Sequence, residues 1–207
     1  MFDGASPWPE RESFPDSVED EDMMKKLILA IAAVLAFITL CPVGQCAETV
    51  HLFLKANGQD IKGESTQASL GRKDSIQCVS YEQKVATARQ AASGMATGRR
   101  EYEPIVIRKR IDKASPLLLK ALIENQKIDG VFKFFRPNPN GDGTTEQFFT
   151  VEIKNARIAS VKEFVLDTTV PANSQVAPLE EITFAGGTIS WTYTNGGITQ
   201  SDNTDRP

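Results

Sequence analysis

The sequence predicts a mainly β fold: an antiparallel β-barrel of two packed sheets with one short α-helix. Short runs of alternating apolar residues, separated by turn residues, recur about eight times between residues 49 and 194. A helical start signal with an apolar stripe stands out near residue 115. Many short strands with one helix indicate an antiparallel barrel or sandwich, and a barrel also removes exposed sheet edges.

The expected strands are bounded by turn residues. The run at 148–155 is expected to pair with the aromatic-rich run at 130–137 as a hairpin. Gly186 and Gly187 can adopt positive φ and are expected to form the turn before the last strand. We predict strands over residues 50–55, 75–85, 130–137, 148–155, 179–185 and 188–193, with further strands beginning at 105 and 156.

The predicted structural helix begins at Ser115 and Pro116. Ser115 can accept a hydrogen bond from a free N–H of the first turn, and Pro116 suits the first helical position because its missing N–H is not needed there. The helix is short, about three turns, so packing has to hold it in place. We therefore expect Leu118 or Leu119 to be buried.

A long connection, residues 86–104, precedes this region. Loops of that length inside a compact domain are usually functional or mobile. Its glycines make it flexible, and its paired arginines lie beside glutamates. Two interpretations stay open from the residues: an inter-subunit contact or a solvated hairpin loop. The residues of the contact would be Gly94, Thr97, Gly98, Arg99 and Arg100.

The charge of the chain is segregated. Residues 1–22 hold eight acids and one base, whereas residues 48–207 hold 20 bases and 19 acids. A nearly neutral folded part does not call for nucleic acid as a partner. We interpret residues 1–23 as an acidic disordered extension or as the product of a mis-assigned start, because Met23 and Met24 directly precede a secretory signal.

Residues 24–47 have the three parts of a signal peptide. Two lysines precede the apolar run Leu27–Leu40, and small residues then lead to a cleavage site after Ala47. The run is shorter than the roughly 20 residues needed to span a bilayer. The expected product has no stable membrane anchor; an uncleaved anchor is the alternative, and a lipoprotein signal fits less well.

Cleavage would leave Cys78 as the single thiol, since Cys41 and Cys46 lie within the signal peptide. One thiol cannot crosslink the fold from within. We interpret Cys78 as a small, half-buried strand residue, with an intermolecular disulfide as the alternative.

The sequence contains no recognisable catalytic, cofactor-binding or metal site. His51 is the only histidine and lies in a strand without a partner signature. Glu180 and Glu181 are adjacent in a strand and point to opposite faces, so we interpret them as one exposed and one rim charge. The turn at 138–143 matches a calcium loop only in part, because Phe149 stands where a bidentate glutamate is needed. We predict a protein that is not an enzyme and has no cofactor.

Several motifs together resemble the haemolysin-coregulated protein (Hcp) family, the tube subunits of type VI secretion systems. The resemblance extends over roughly residues 49–194, and the paired motifs make it specific. The matching segments are IKGES at 61–65, ATGRR at 96–100, DKxSPLL at 112–118 and IxWxY at 189–193.

The resemblance implies an Hcp-like β-barrel domain over residues 48–194. It also implies subunits that form homohexameric rings, stack into a hollow tube and carry effector proteins, with sheath and spike proteins as further partners. The loop at 86–104 would project from the ring and meet neighbouring subunits. Residues 195–207 are polar and are expected to form a flexible tail.

The signal peptide departs from the family, whose tube subunits ordinarily leave through the secretion machine itself. We expect a secreted or periplasmic protein, or a cytoplasmic one before export if the signal is not used. The alternative function is a secreted or periplasmic Hcp-like ring that acts as a protein-binding module outside a secretion tube.

Overall fold

The structure is a computed structural model that describes residues 48–204. The predicted acidic extension or mis-assigned start at 1–23 and the predicted signal peptide at 24–47 lie outside these residues. No helix within 48–204 is long and apolar enough to cross a membrane. The strands and helix of the described part are β1 (Thr49–Ala56), β2 (Gln59–Ile61), β3 (Ile76–Glu82), β4 (Val85–Arg89), β5 (Ala96–Tyr102), β6 (Ile105–Arg110), α1 (Ser115–Ile123), β7 (Ile128–Pro137), β8 (Thr145–Phe164), β9 (Leu179–Ala185), β10 (Thr188–Tyr193) and β11 (Ile198–Asn203), with short 3-10 turns at Ser69–Gly71 and Pro171–Asn173.

Antiparallel pairing joins six strands into a barrel wall. The order is β8, β7, β1, β3, β6 and β9, and β9 pairs again with β8. Strand β8 reaches both neighbours because it is 20 residues long. Its residues up to Ala156 pair with β7, and those from Arg157 pair with β9. Asn155, at the change of partner, has a positive φ of 55°.

The mainly β barrel fold with one short helix is confirmed. The two sheets have unequal sizes: one has nine strands, with β10 and β11 continuing outward from β8, and the other contains β4 and β5 alone. The predicted hairpin of 130–137 with 148–155 is present as β7 and β8. The separate strands expected at 148–155 and from 156 are one continuous strand.

The chain beyond residue 194 also differs from expectation. Residues 198–203, predicted to lie in a flexible tail, form β11 and pair along their length with β10. Their side chains are mostly exposed and polar. The hydrophobic alternation that reveals a strand in a sequence is therefore missing here.

The barrel interior is filled by apolar side chains from every wall strand and from α1. Phe132 lies near its centre, fully buried, with edge-to-face contacts to Tyr81 at 5.1 Å and Phe184 at 6.0 Å between ring centroids. Gly130 permits close packing beside it, since a Cβ there would lie 3.0 Å from the Leu54 side chain. The helix packs against β8.

The helix α1 buries the predicted side of its apolar stripe. Leu118 is fully buried, Leu119 is half-buried and Leu117 is 44% exposed. The expected cap differs, however. The Ala114 N–H donates to the Asp112 carboxylate at 2.9 Å, and the Asp112 N–H donates to Ser115 Oγ at 3.0 Å. The N-cap residue is Ala114, which has no side-chain capping bond, and Asp112 and Ser115 instead hold the turn that leads into the helix.

A buried ion pair lies where α1 meets the barrel wall. The Lys109 ammonium on β6 contacts the Glu180 carboxylate on β9, and both side chains are inaccessible to solvent. Lys109 Nζ also donates to Asp112 Oδ1 at 2.8 Å, and Ser115 Oγ donates to Glu180 Oε1 at 2.5 Å. The interpretation of Glu180 as a rim or exposed charge is therefore wrong, although Glu181 does point the other way, toward Arg108.

The single histidine belongs to the packing of the barrel end. His51 Nδ1 lies 2.8 Å from Ser75 Oγ, and its ring meets Phe135 edge-on at 5.5 Å. Burial, together with the nearby Arg72 charge, lowers the pKa of His51 to about 4. The imidazole is therefore neutral at physiological pH, as expected for a core residue.

Cys78 lies on β3 and is more deeply buried than predicted, at 7% exposure. Burial raises the pKa of its thiol to about 12. A buried, protonated thiol is unreactive, which argues against the intermolecular disulfide.

Candidate assembly surface

The residues predicted to contact other subunits lie on a β-hairpin instead of a loop. Strands β4 and β5 pair with each other in a two-stranded sheet apart from the barrel wall. The register shifts between Thr87 and Arg89, where β5 has two extra residues between Ala96 and Arg100. Sequence reasoning missed these strands because their side chains are mostly exposed, and exposed strands show no apolar alternation.

The hairpin tip is closed by local hydrogen bonds. The Gly94 N–H donates to the Gln90 carbonyl at 2.8 Å, and the Gln90 N–H donates to the Met95 carbonyl at 2.9 Å. Gly94 has a φ of 68°, a conformation that favours glycine. Met95 at the tip is 68% exposed. The tip therefore presents a flexible apolar side chain to its surroundings.

The predicted contact residues are brought together on this hairpin. Gly94 is in the turn, and Thr97, Gly98, Arg99 and Arg100 follow along β5, all exposed. The residues of the predicted structural helix lie elsewhere, with Ser115 and Leu118 in the barrel interior, Leu119 half-buried and Pro116 at its exposed first turn. The predicted contact residues therefore lie outside the barrel, whereas the buried residues of the helix lie within it.

The two adjacent arginines differ in their environment. Arg100 Nε lies 2.8 Å from Asp202 Oδ2. The side chain of Arg99, by contrast, forms no hydrogen bond or ion pair with any residue of the described part. Both line a shallow groove of about 450 Å³. A free guanidinium is well suited to bind a carboxylate with two parallel hydrogen bonds.

Sequence reasoning missed one partner of this surface. Asp202 on β11 accepts hydrogen bonds from Arg100 and from the Tyr102 hydroxyl. In the sequence, Asp202 lies 102 positions after Arg100 and 100 positions after Tyr102. Nothing local in the polar C-terminal segment marks Asp202 as a partner of β5.

The surface contains no assembled metal site. Among residues 48–204, no group of three or more His, Cys, Asp or Glu side chains could hold a metal ion. The turn at 138–143, which matches a calcium loop in part, is a separate feature. Its Asp142 carboxylate accepts hydrogen bonds from the N–H and the hydroxyl of Thr144, and these bonds lower the pKa of Asp142. The Asp142 carboxylate therefore stabilises the turn through these hydrogen bonds.

Comparison with known proteins places this fold in a family. A family model described as "Type VI secretion system effector, Hcp" matches residues 53–193. A relative named "Major exported protein", from Pseudomonas aeruginosa, is 32% identical over 138 residues, which cover 66% of this chain and 79% of the relative.

Solved structures agree with this match. A double mutant of the Hcp1 protein from E. coli EAEC 042 is 29% identical, with a TM-score of 0.65 over 76% of this chain and 99% of that chain. The secreted protein Hcp3 of Pseudomonas aeruginosa shares the fold at 22% identity, with a TM-score of 0.60 over 77% of this chain and 100% of that chain. The resemblance seen in the sequence motifs is therefore confirmed, and this chain belongs to the Hcp family of type VI secretion proteins.

Proposed function

We propose that this chain is a structural tube subunit that closes into hexameric rings, which stack and carry effector proteins for export. The observation that carries this proposal is the exposed β4–β5 hairpin on an Hcp-fold domain. Membership of a family of structural secretion proteins supports it, and residues 48–204 contain no group of His, Cys, Asp or Glu side chains that would favour a metal-dependent enzyme.

The hairpin contributes little to the domain that carries it. Of its twelve strand residues only Thr87 and Tyr102 are even partly buried. A two-stranded hairpin in water is marginally stable on its own. Contacts with another molecule would bury its exposed apolar groups, Val85 and Met95, and give Arg99 a partner. This supports a role in binding a second copy of the chain.

A closed ring repeats one heterologous contact until the rotation closes, so each subunit needs two different, complementary patches. A hairpin that projects from one side of a barrel can supply one patch. The opposite flank of the neighbouring barrel would supply the other. Ring stacking uses a further surface, and an exposed charge such as Arg99 would make either contact sensitive to salt.

The first prediction concerns assembly. Purified residues 48–207 are expected to have the mass of a hexamer in light scattering, without metal or disulfide. Arg99→Glu is expected to raise the dissociation constant for ring formation or stacking by about tenfold or more, because it replaces an attraction by a repulsion. Arg99 is a sharper target than the Arg99→Glu, Arg100→Glu double variant, since Arg100 already binds Asp202.

Lys127→Glu is the matched control, because it makes the same charge change at an exposed residue after α1. Its mass and salt dependence should equal those of the wild type. A wild-type protein that stays monomeric at high concentration in low salt would contradict the tube proposal. It would favour the alternative, a secreted or periplasmic protein-binding module. Intact, stacked rings in Arg99→Glu would place this residue outside the contacts.

We further propose that the chain is exported with its signal peptide removed after Ala47. The relative from Pseudomonas aeruginosa is named an exported protein, and the lysines and apolar run at 25–40 support a secretory route. N-terminal sequencing of the secreted or periplasmic protein is expected to begin close to Glu48. Recovery of a protein that begins at Met24 would contradict cleavage.

A further inference from the structure

The β4–β5 hairpin needs support from outside itself to hold one orientation. Its two strands pair with each other and with no strand of the barrel wall. At its base, Lys84 and Glu103 form an exposed ion pair, and the Glu103 N–H donates to the Lys84 carbonyl at 3.0 Å. These contacts join the two strands, and among the residues of β4 and β5 only Tyr102 packs against the barrel core, so the angle of the hairpin to the barrel depends on contacts near Tyr102.

The C-terminal strand β11 provides contacts that can fix that angle. Arg100 reaches Asp202 through two nitrogens, with Nε 2.8 Å from Oδ2 and Nη2 3.2 Å from Oδ1. The Tyr102 hydroxyl donates to the same carboxylate. Both donors lie on β5, two residues apart and therefore on one face of the strand. Asp202 thus holds two points along the hairpin.

Asp202 is itself held in position. Strand β11 pairs with β10 over six residues, and Asp202 stands opposite Ile189, whose side chain is in the barrel core. The Asn203 N–H donates to Asp202 Oδ1 at 2.9 Å. The Asp202 side chain is only 22% exposed, whereas that of Arg100 is 62% exposed. The carboxylate is therefore the fixed member of the pair, and the arginine is the adjustable one.

The Tyr102 hydrogen bond, with help from the Asn203 N–H and Arg100, lowers the pKa of the Asp202 carboxyl. Burial and the bond to Asp202 raise the pKa of Tyr102. Asp202 is therefore charged and Tyr102 protonated near neutral pH. Hydrogen bonds to a charged carboxylate are stronger than those between neutral groups.

We propose that β11 is a latch, in which Asp202 holds Arg100 and Tyr102 and so sets the orientation in which the hairpin is presented. Asp202 is a positioning residue, and the segment matched by the family model ends at residue 193, before this strand. The latch is a contact within one chain and does not depend on ring formation. Its effect on assembly, through the direction in which Arg99 points, rests on the proposed function.

The test is amide hydrogen exchange on the full chain, followed strand by strand in samples matched for mass by light scattering. Asp202→Ala is expected to speed exchange in β4 and β5 by about three- to tenfold, since losing these bonds favours local opening of the hairpin. Exchange in β1 and β7, in the barrel wall, should not change.

Two further variants separate the latch from damage to β11. Ser201→Ala lies next to Asp202 on the same strand with its side chain exposed, and it should leave the hairpin unchanged. Arg100→Ala combined with Tyr102→Phe leaves β11 intact and should speed exchange in β4 and β5 as much as Asp202→Ala does.

Hairpin exchange equal to wild type in both Asp202→Ala and the double variant would overturn the latch. Equal acceleration in Ser201→Ala would also overturn it, because the effect would then belong to the strand and not to the carboxylate. Neither outcome depends on whether the wild type is a monomer or a hexamer. Failure of the latch is therefore distinct from failure of the tube proposal.

Discussion

Replacing Glu180 with alanine is expected to destabilise the domain by about 3–5 kcal/mol, the largest effect among our predictions, because it leaves the Lys109 ammonium buried without its closest countercharge. Both side chains are shielded from solvent by β6, β9 and α1. The remaining acceptors of Lys109 hold it in place but only partly compensate the charge; they are the Asp112 carboxylate, the Arg110 carbonyl and the Ser115 hydroxyl.

The loss would extend beyond the ion pair. Ser115 Oγ donates to the Glu180 carboxylate, so alanine at 180 also leaves this buried hydroxyl without its acceptor. Ser115 Oγ also accepts the Asp112 N–H, so the turn that leads into α1 depends on the same network. Urea unfolding, at one fixed protein concentration because assembly shifts apparent stability, would measure the effect.

Glu181→Ala is the matched control. Glu181 is adjacent in β9 but points outward to Arg108, whose side chain is half exposed, and such pairs contribute about 0–1 kcal/mol. A Lys109→Met, Glu180→Leu double variant should recover most of the stability, because two apolar side chains remove the need for a countercharge. Equal midpoints for Glu180→Ala and Glu181→Ala would contradict the proposed role of the buried pair.

Replacing Leu118 with alanine is expected to cost about 2–5 kcal/mol of unfolding free energy, the usual range for truncating a buried leucine and leaving a cavity. Leu118 is fully buried and joins α1 to the apolar interior near Ala114 and Ala121. A helix of nine residues has little stability of its own, so it relies on this contact.

Leu117→Ala serves as the control, since Leu117 is the preceding residue of the same helix and is 44% exposed. It should change the free energy of unfolding by less than about 0.5 kcal/mol. Comparing the two variants by urea unfolding removes any difference in helix propensity, because both make the same substitution. A Leu118→Ala midpoint equal to that of Leu117→Ala would show that the buried side of α1 has been misidentified.

Local chemistry in the sequence was enough to find most of the fold. The hairpin of β7 and β8 follows from two apolar runs around a turn cluster. The helix follows from Ser115, Pro116 and the spacing around Leu118. These features depend on residues close in sequence, so periodicity and turn residues reveal them. The family motifs added the expectation of a barrel, which the strand pairing confirms.

What the sequence could not determine depends on residues far apart in the chain. The two roles of β8 are visible only once β7 and β9 lie on either side of it. Glu180 reads as a surface charge until folding places it against Lys109, 71 residues away. The polar strand β11 and its Asp202 contact appear only beside β10 and β5. Local patterns of apolar and polar residues indicate which side of a strand faces water. The partner of a buried charge or of an exposed strand, by contrast, is determined by tertiary packing, because the two partners are far apart in the sequence.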